Sequence, residues 1–492
     1  MGWMADGLTM AVSPAGGCAE RMPPSPQGAC CRGGLTGMSA MDVSSLIADL
    51  DGTRTVTDPA TVKRMSRDYF WYSPVLKRQL DHVSGDVLVE AQTEDDVIAV
   101  AAACYRHDVP LTVRGGGTGN YGQAMPLRGG VVLDMRALDR LLWVRDGACR
   151  VQAGKRLIRL DQELEAHGYE LRLHPSTRAI ATVGGFIAGG SGGVGSITWG
   201  MLREPGNIIG ARLVTLEERP RVLELRGDEI PKFNHSYGVT GIITELELPL
   251  AHRENWIEAV VAFDDFASAA SFGKAFAGAP GLVKKQCGVM APPIGQKFLK
   301  PIAPFLAPGE ACALVMIAGQ SWEGFCALAG QHGGRVVFDT SRSGEVRKSR
   351  IPLYELCWNH TTLWALKVEP TLTYLQTLLP TDDCVGLADS LQRHFGDEVM
   401  YHLEFTRSGA SVSCSALQMI RFTDESRLNE IMAYHEQLGC RIFNPHVFTI
   451  EEGGMKMVNH VQLAFKREVD PKGLLNPGKM LAWDDAAALQ TS

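Results

Sequence analysis

Residues 112–122 read TVRGGGTGNYG, and no other stretch restricts the fold as strongly. Gly117-Thr118-Gly119-Asn120-Tyr121-Gly122 has the G-x-G-x-x-G spacing of a dinucleotide fingerprint, in which a helix opens right after the glycines and faces a pyrophosphate. Here the next residues are Gln123-Ala124-Met125-Pro126-Leu127-Arg128-Gly129-Gly130, with a proline and a glycine pair. Val131-Val132-Leu133-Asp134-Met135 then reads as a strand. Upstream, Thr93 caps a helix whose first turn holds Glu94-Asp95-Asp96, and Val97, Ile98, Ala101 and Cys104 recur at helical spacing. His107-Asp108-Val109-Pro110 ends that helix, and Leu111-Thr112-Val113 enters the loop as a buried strand. The unit is strand, glycine loop, strand. The Rossmann reading fails.

A glycine loop can still bind phosphate, because several backbone N–H groups can converge on one anion when no Cβ intervenes. The plainer reading is a tight turn between two strands. Such hairpin turns take two to five residues, whereas this loop runs from Arg114 to Gly130. The ligand reading is favoured. A second cluster, Ala181-Thr182-Val183-Gly184-Gly185-Phe186-Ile187-Ala188-Gly189-Gly190-Ser191-Gly192-Gly193-Val194-Gly195, supports it. Each glycine weakens a helix or strand by up to about 1 kcal/mol against alanine. A large flat ligand lying on the main chain accounts for such density, and apolar Val183, Phe186 and Ile187 argue against a linker.

Bulk properties narrow the classes. A length of 492 residues corresponds to about three domains at roughly 150 residues each. The formal net charge of −7 argues against nucleic acid as a partner, since that needs a basic face. No apolar run approaches the roughly 18 residues of a membrane span. The twelve cysteines scatter apart from Cys30-Cys31, as reduced thiols do, so the expected location is cytoplasmic. Residues 1–40 are rich in Gly, Pro, Ser and Met without a hydrophobic period, and Met1-Gly2-Trp3-Met4-Ala5-Asp6 lacks the basic start of a secretory signal. A disordered extension is expected there, with Met38 or Met41 as the natural beginning.

Four motifs occur in a fixed order: Arg114-Gly115-Gly116-Gly117-Thr118-Gly119, Thr182-Val183-Gly184-Gly185, Gly238-Val239-Thr240-Gly241-Ile242-Ile243, and Leu475-Asn476-Pro477-Gly478-Lys479. Together they resemble the FAD-binding flavoproteins of the p-cresol methylhydroxylase (PCMH) and vanillyl-alcohol oxidase type. The resemblance implies an α+β chain: a PCMH-type FAD-binding domain of two α/β subdomains over 41–250, an α+β cap domain with an antiparallel sheet over 251–440, and a segment over 441–484 returning to the FAD domain. It also implies that Arg114 and the backbone of Gly115, Gly116, Gly117, Thr118 and Gly119 cradle the FAD pyrophosphate. Thr182, Gly184, Gly185 and Gly189 would lie near the flavin and ribityl chain, Gly241 and Ile243 near the adenine end, and Asn476 also at the cofactor. Members with covalent FAD use a histidine after the first glycines and sometimes a cysteine before the Thr-Val-Gly motif. The matching residues are Thr118 and Ile180, so dissociable, non-covalent FAD is expected.

The C-terminal Asp470-Pro471-Lys472-Gly473-Leu474-Leu475-Asn476-Pro477-Gly478-Lys479 looks most like the glycolate oxidase and D-lactate dehydrogenase branch. Metal-using members of that branch hold a divalent ion with two histidines seven residues apart and a glutamate directly before a third histidine. His402 matches the first of these and His446 the third, but Gly409 and Pro445 stand where other ligands would be. No catalytic metal is expected, since a site needs its full ligand set.

Oxidising an alcohol means taking the O–H proton while the C–H hydride moves to flavin N5. A histidine, with an ordinary pKa of about 6.5, suits that proton. His446 is the first choice, against a structural role fixing the Asn444-Pro445 turn, and His402 is the second. Between Leu250 and Leu438, strands at Trp256–Phe263, 283–290 and 311–317 alternate with helices at 266–276, 322–330, 382–395 and 424–438. This pattern predicts an antiparallel sheet with helices on one face, and a long surface loop over Lys285–Pro308. Leu363-Trp364-Ala365-Leu366-Lys367 resembles a cap segment of the branch that ends in arginine. Lys367 would pair with a substrate carboxylate, against the plainer reading of a solvated lysine. Tyr354, Trp358 and His360 are candidates for an aromatic pocket wall.

The expected function is an FAD-dependent oxidoreductase acting on a small alcohol or 2-hydroxy acid, with an unidentified electron acceptor. The alternatives are a non-redox FAD enzyme of the alkyl-dihydroxyacetonephosphate synthase type, or a flavin-binding protein without turnover. A homodimer is left open.

Overall fold

The computed structural model describes residues 43–341, 351–455 and 457–490. The expected N-terminal extension lies outside those residues. In the first sheet the strand order is Arg54–Val56, Val87–Glu90, Val131–Asp134, Leu111–Arg114. The last three are parallel and the first is antiparallel. Thr93 and Asp96 form a reciprocal capping box at the start of the helix Glu94–Arg106, which buries Val97, Val100, Ala101 and Cys104 against this sheet.

Leu111–Arg114 and Val131–Asp134 lie side by side and run the same way. A hairpin turn cannot join parallel neighbours; the chain has to cross over and return. That crossover is usually a helix. Here residues 115–130 make it as an irregular loop.

The second sheet is antiparallel, in the order Leu141–Arg145, Ala148–Gln152, Ile242–His252, Gly210–Val214, Val222–Arg226, with Tyr169–Leu171 also pairing to Ile242–His252. The third has eight antiparallel strands, among them Trp256–Phe263, Lys284–Met290, Ala311–Ala318 and His402–Ser408. Helices Phe266–Gly278, Trp322–Gln331, Cys384–Phe395 and Glu425–Gln437 cover one of its faces.

Two expectations need correction here. Helices do not sit on one face only: Phe298, Leu299 and Ile302, together with Leu356, Cys357 and Ala365, pack on the other face against Val260, Met290, Cys312 and Leu314. Nor is Lys285–Pro308 a surface loop. It begins inside the fully buried strand Lys284–Met290 and continues through Ile294, Phe298, Leu299 and Ile302, all buried. The five prolines mark turns, whereas the spacing of those four apolar residues is the helical signal that places them in the core.

The C-terminal segment returns to the first sheet. Leu111 N–H donates to the Leu474 carbonyl at 2.9 Å, and Asn476 N–H donates to the Leu111 carbonyl at 2.7 Å. The last of the four motifs is thereby fastened beside the strand that feeds the glycine loop. Among the described residues, no helix is long and apolar enough to cross a membrane.

Candidate functional site

A cleft runs between the two glycine stretches and the eight-stranded unit. Gly115, Gly116, Gly117, Thr118 and Gly119 line it from the crossover loop, and Thr182, Gly184, Gly185 and Gly189 from the second cluster. Gly241 and Ile243 line it from the second sheet, and Trp358, Asn359, His360, Gln376 and Phe443 from the far side.

The glycines divide by what a side chain would meet. A Cβ on Gly115 would lie 2.1 Å from Thr182 Oγ1, and one on Gly116 would lie 2.5 Å from the Ile180 carbonyl oxygen. Those two lack side chains because the two glycine stretches pack on each other. Gly117 has φ +63°, where glycine is at ease, and its Cβ would strike the Arg114 guanidinium. By contrast, a Cβ on Gly189 would have only Gln123 Nε2 near it, at 4.0 Å, and would project into the cleft. In the second cluster a short helix, Val183–Gly189, forms despite its glycines. Thr182 caps it, with Oγ1 accepting from Gly185 N–H at 3.3 Å, and Val183, Phe186 and Ile187 anchor it in the core.

Among the described residues, the N–H groups of Gly116, Gly117, Thr118 and Gly119 have no acceptor in the protein. Consecutive amides on a cleft wall, with a positive-φ glycine turning the chain between them, form an anion-binding concavity. A diphosphate fits that donor set.

Four buried side chains support the loop from behind, and two of them, Arg114 and Asn476, correct the sequence reading. Arg114 does not line the cleft. Its Nη1 donates to the Arg67 carbonyl at 2.6 Å beneath Gly117, and burial holds its pKa down despite Asp68 and Asp134 nearby. Asn476 is likewise a strut: its Nδ2 donates to the carbonyls of Gln123 at 2.9 Å and Tyr237 at 2.5 Å. Asp68, which sequence reasoning missed, accepts from Phe70 N–H at 3.0 Å and Ala124 N–H at 3.1 Å. Burial raises its pKa and lowers that of Lys479, while their attraction opposes both shifts. Lys479 Nζ donates to the Gly122 carbonyl, tying the last motif to the first.

The three catalytic candidates do not meet in the cleft. His446 Nε2–H donates to the Tyr374 carbonyl at 3.0 Å, which leaves Nδ1 to accept from the Ser73 hydroxyl at 2.7 Å. Both nitrogens are engaged, the ring does not line the cleft, and burial depresses its pKa to about 4. His402 is fully buried, donating from Nε2 to Glu404 Oε1 at 2.8 Å, with Nδ1 unpartnered. It lies behind the wall that Trp358 forms. Lys367 is exposed on the last turn of the helix Asn359–Val368, its ammonium 4.6 Å from the Trp364 ring centroid. In the folded chain the His446 ring is held by Ser73 and Tyr374, the His402 ring by Glu404, and Lys367 is solvated.

Other groups occupy the cleft instead. Tyr121 O–H donates to Gln376 Oε1 at 2.6 Å and to the Phe443 carbonyl at 3.1 Å, and Gln376 Nε2 donates to Asn359 Oδ1 at 2.9 Å. This chain of neutral donors spans from the glycine loop to the far wall. In the sequence Tyr121 reads only as a spacer of the fingerprint; its aromatic type inside a glycine run was the available signal. His360, expected on an aromatic wall, does line the cleft, as does Trp358, while Tyr354 instead accepts at its hydroxyl from Arg178 Nη2 at 3.0 Å. Burial lowers the His360 pKa to about 4, so its ring is neutral. His235, not anticipated, also lines the cleft; its Nδ1–H donates to the Gly190 carbonyl at 2.9 Å, and burial takes its pKa to about 4.

Comparison with known proteins agrees with this geometry. Residues 85–222 match the FAD binding domain family. The glycolate oxidase subunit GlcD of Escherichia coli (strain K12) is 30% identical over 164 residues, 32% of this chain and 32% of that protein. The D-lactate dehydrogenase of Anaerostipes hadrus is 30% identical over 175 residues, 33% of this chain and 36% of that protein. The aligned stretch thus spans about a third of each relative. A solved structure of alkyldihydroxyacetonephosphate synthase superposes with a TM-score of 0.68 at 16% identity, covering 88% of this chain and 85% of that one. With the strand–glycine loop–strand crossover, the unpaired amides and the eight-stranded antiparallel unit, these matches give the chain an FAD binding domain over residues 85–222, with FAD as its cofactor, and the fold of the PCMH-type flavoproteins.

Proposed function

We propose that the chain is an oxidoreductase that oxidises the CH–OH group of a small alcohol or 2-hydroxy acid and passes the electrons to a separate acceptor. The observation that carries this reading is one cleft with two kinds of wall: unpaired amides at 116–119 on one side and the neutral His360 on the other. FAD, when bound, supplies the group that takes the hydride. The amides of 116–119 hold its pyrophosphate, Thr182, Gly185 and Gly189 flank the flavin and ribityl chain, and Gly241 and Ile243 flank the adenine. Neither a histidine at 118 nor a cysteine at 180 is present, so the cofactor is held without a covalent link.

His360 replaces His446 as the group that accepts the substrate proton. Its ring is neutral above about pH 4 and belongs to the wall facing the glycines. The eight-stranded unit acts as the cap, with domain limits at 41–250, 251–440 and 441–484. The names of the matched relatives support a hydroxy-acid or alcohol substrate.

The test is anaerobic mixing of the FAD-loaded protein with 2-hydroxy acids, sugars and aromatic alcohols. Loss of the oxidised flavin absorbance with at least one member is the expected result. An oxidised flavin that no member bleaches would overturn the reading and leave a non-redox role.

A further inference from the structure

The segment Cys357-Trp358-Asn359 carries an unusual backbone in the cleft. Trp358 has φ +54° and ψ −144°. Bulky side chains avoid that region, and it persists only where surroundings hold it; such residues concentrate at functional sites. The holding contacts are explicit. Trp358 N–H donates to Glu404 Oε1 at 2.7 Å, and its indole Nε1–H donates to Gln286 Oε1 at 3.1 Å. Gln286 Nε2 closes the ring by donating to Glu404 Oε2 at 2.5 Å, and His402 donates to the same carboxylate. Gln286, Glu404 and His402 are all buried.

Strand register explains why these groups meet. Gly288 pairs with Glu404 and Met290 with His402, so Gln286, Gly288, Glu404 and His402 share one face of the eight-stranded sheet. Gly288 sits at the centre. A Cβ there would lie 3.1 Å from Cys357 Sγ and from Glu404 Oε1, so the sheet leaves room for the Trp358 turn and for no side chain. Fold stability alone does not call for this arrangement, since a glycine at 358 would adopt the same backbone without strain.

The indole's only polar atom is committed inward to Gln286, so its carbon surface is what lines the cleft. Phe443 and Leu417 line the same cleft, and the polar groups beside Trp358 are neutral Asn359, His360 and Gln376. Lys367, the cation expected from this segment, is turned to solvent.

We propose that Trp358 is the specificity-determining residue of the substrate end, selecting substrates whose CH–OH carbon bears a flat apolar group. This rests on the oxidoreductase reading and narrows it, from small alcohols and hydroxy acids in general to their aryl-bearing members. Glu404 is a positioning residue that acts through the Trp358 backbone. Arg203 also lines the cleft, so an anionic group on the same substrate is admissible.

The experiment uses FAD-loaded full-length protein and pairs that differ only in the flat group: mandelate against lactate, and benzyl alcohol against ethanol. The expected result is at least about tenfold higher kcat/KM for each aryl member, with edge-on or stacked aromatic contact supplying part of it. Trp358→Ala should remove that preference by raising KM for the aryl members, and Trp358→Phe should restore it. Glu404→Leu should act like Trp358→Ala, while Glu404→Gln, which keeps an acceptor for the Trp358 N–H, should retain the preference. Equal kcat/KM within the pairs, or a preference that survives Trp358→Ala, would overturn the proposal. A second readout is independent of turnover. Phenylacetate should perturb the flavin spectrum at least about tenfold more tightly than acetate in the wild type and not in Trp358→Ala. If no substrate reduces the flavin, the oxidoreductase reading falls while the phenylacetate titration still decides the role of Trp358.

Discussion

The two walls of the cleft are built on opposite principles. The glycine wall is main chain: its amides at 116–119 line the cavity without an acceptor in the protein, and Arg114, Asp68, Asn476 and Lys479 brace it from behind. The opposite wall is side chain: Trp358, Asn359, His360 and Gln376 project from segments that a buried carboxylate and the sheet register hold in place. A cofactor common to many proteins needs only a generic anion grip, which backbone supplies. A substrate needs particular shapes, which only side chains supply.

This contrast can be broken by substitution, and the largest effect falls on the first wall. Gly116→Val would drive a side chain into the Ile180 carbonyl oxygen and the Ala181 Cα, 2.5 and 3.0 Å from the Cβ position. The expected product is a colourless protein with a lowered apo melting temperature. Gly189→Val, whose Cβ faces the open cleft, should lose FAD at an unchanged apo melting temperature. Equal behaviour of the two variants would merge the packing and ligand roles assigned to these glycines.

On the second wall, His360→Ala should slow flavin reduction by about 10²–10⁴-fold with FAD content retained, the range for losing a general base. His446→Ala should reduce at the normal rate and melt earlier, since its Ser73 and Tyr374 partners are left unpaired. Because the His360 pKa is about 4, kcat/KM should hold from pH 8 to pH 5 and fall only near pH 4. A fall centred near pH 6.5 would assign the proton to another group.

A smaller effect concerns stability. His446, His360 and His235 have folded pKa values of about 4, below the ordinary 6.5, so the unfolded chain binds more protons between those values. Their contribution is complete above about pH 6.5, declines as pH falls toward 4, and is constant below that. The melting temperature should follow this course, and His446→Gln should flatten part of it. Smallest of all, Lys367→Ala should change stability by less than about 0.5 kcal/mol and leave KM unchanged, as for an exposed side chain with no carboxylate partner among the described residues.

The same contrast explains what the sequence revealed. The crossover loop was legible because proline and glycine chemistry is local: Pro126 followed by Gly129-Gly130 works against a continuous helix between the two strands. Thr93 marked a helix start for the same reason. The catalytic side chains were not legible. Whether Lys367 faces the cleft depends on the phase of a helix that begins at Asn359, and that phase is set by a strained turn held from two distant strands. His446 and His402 matched motif positions but carry partners, Ser73 and Glu404, that only the folded chain reveals. Asp68 was invisible because its role is defined by two backbone amides and a lysine that lies about four hundred residues away in sequence.

The grip of the 116–119 amides on a diphosphate is tested most directly by titrating flavin-free protein with FAD and, separately, with riboflavin, which lacks phosphate. Two charge-assisted hydrogen bonds at about 1.5 kcal/mol each predict FAD binding about 100-fold tighter than riboflavin. Protein that takes up no FAD, or that binds riboflavin equally well, would contradict the account.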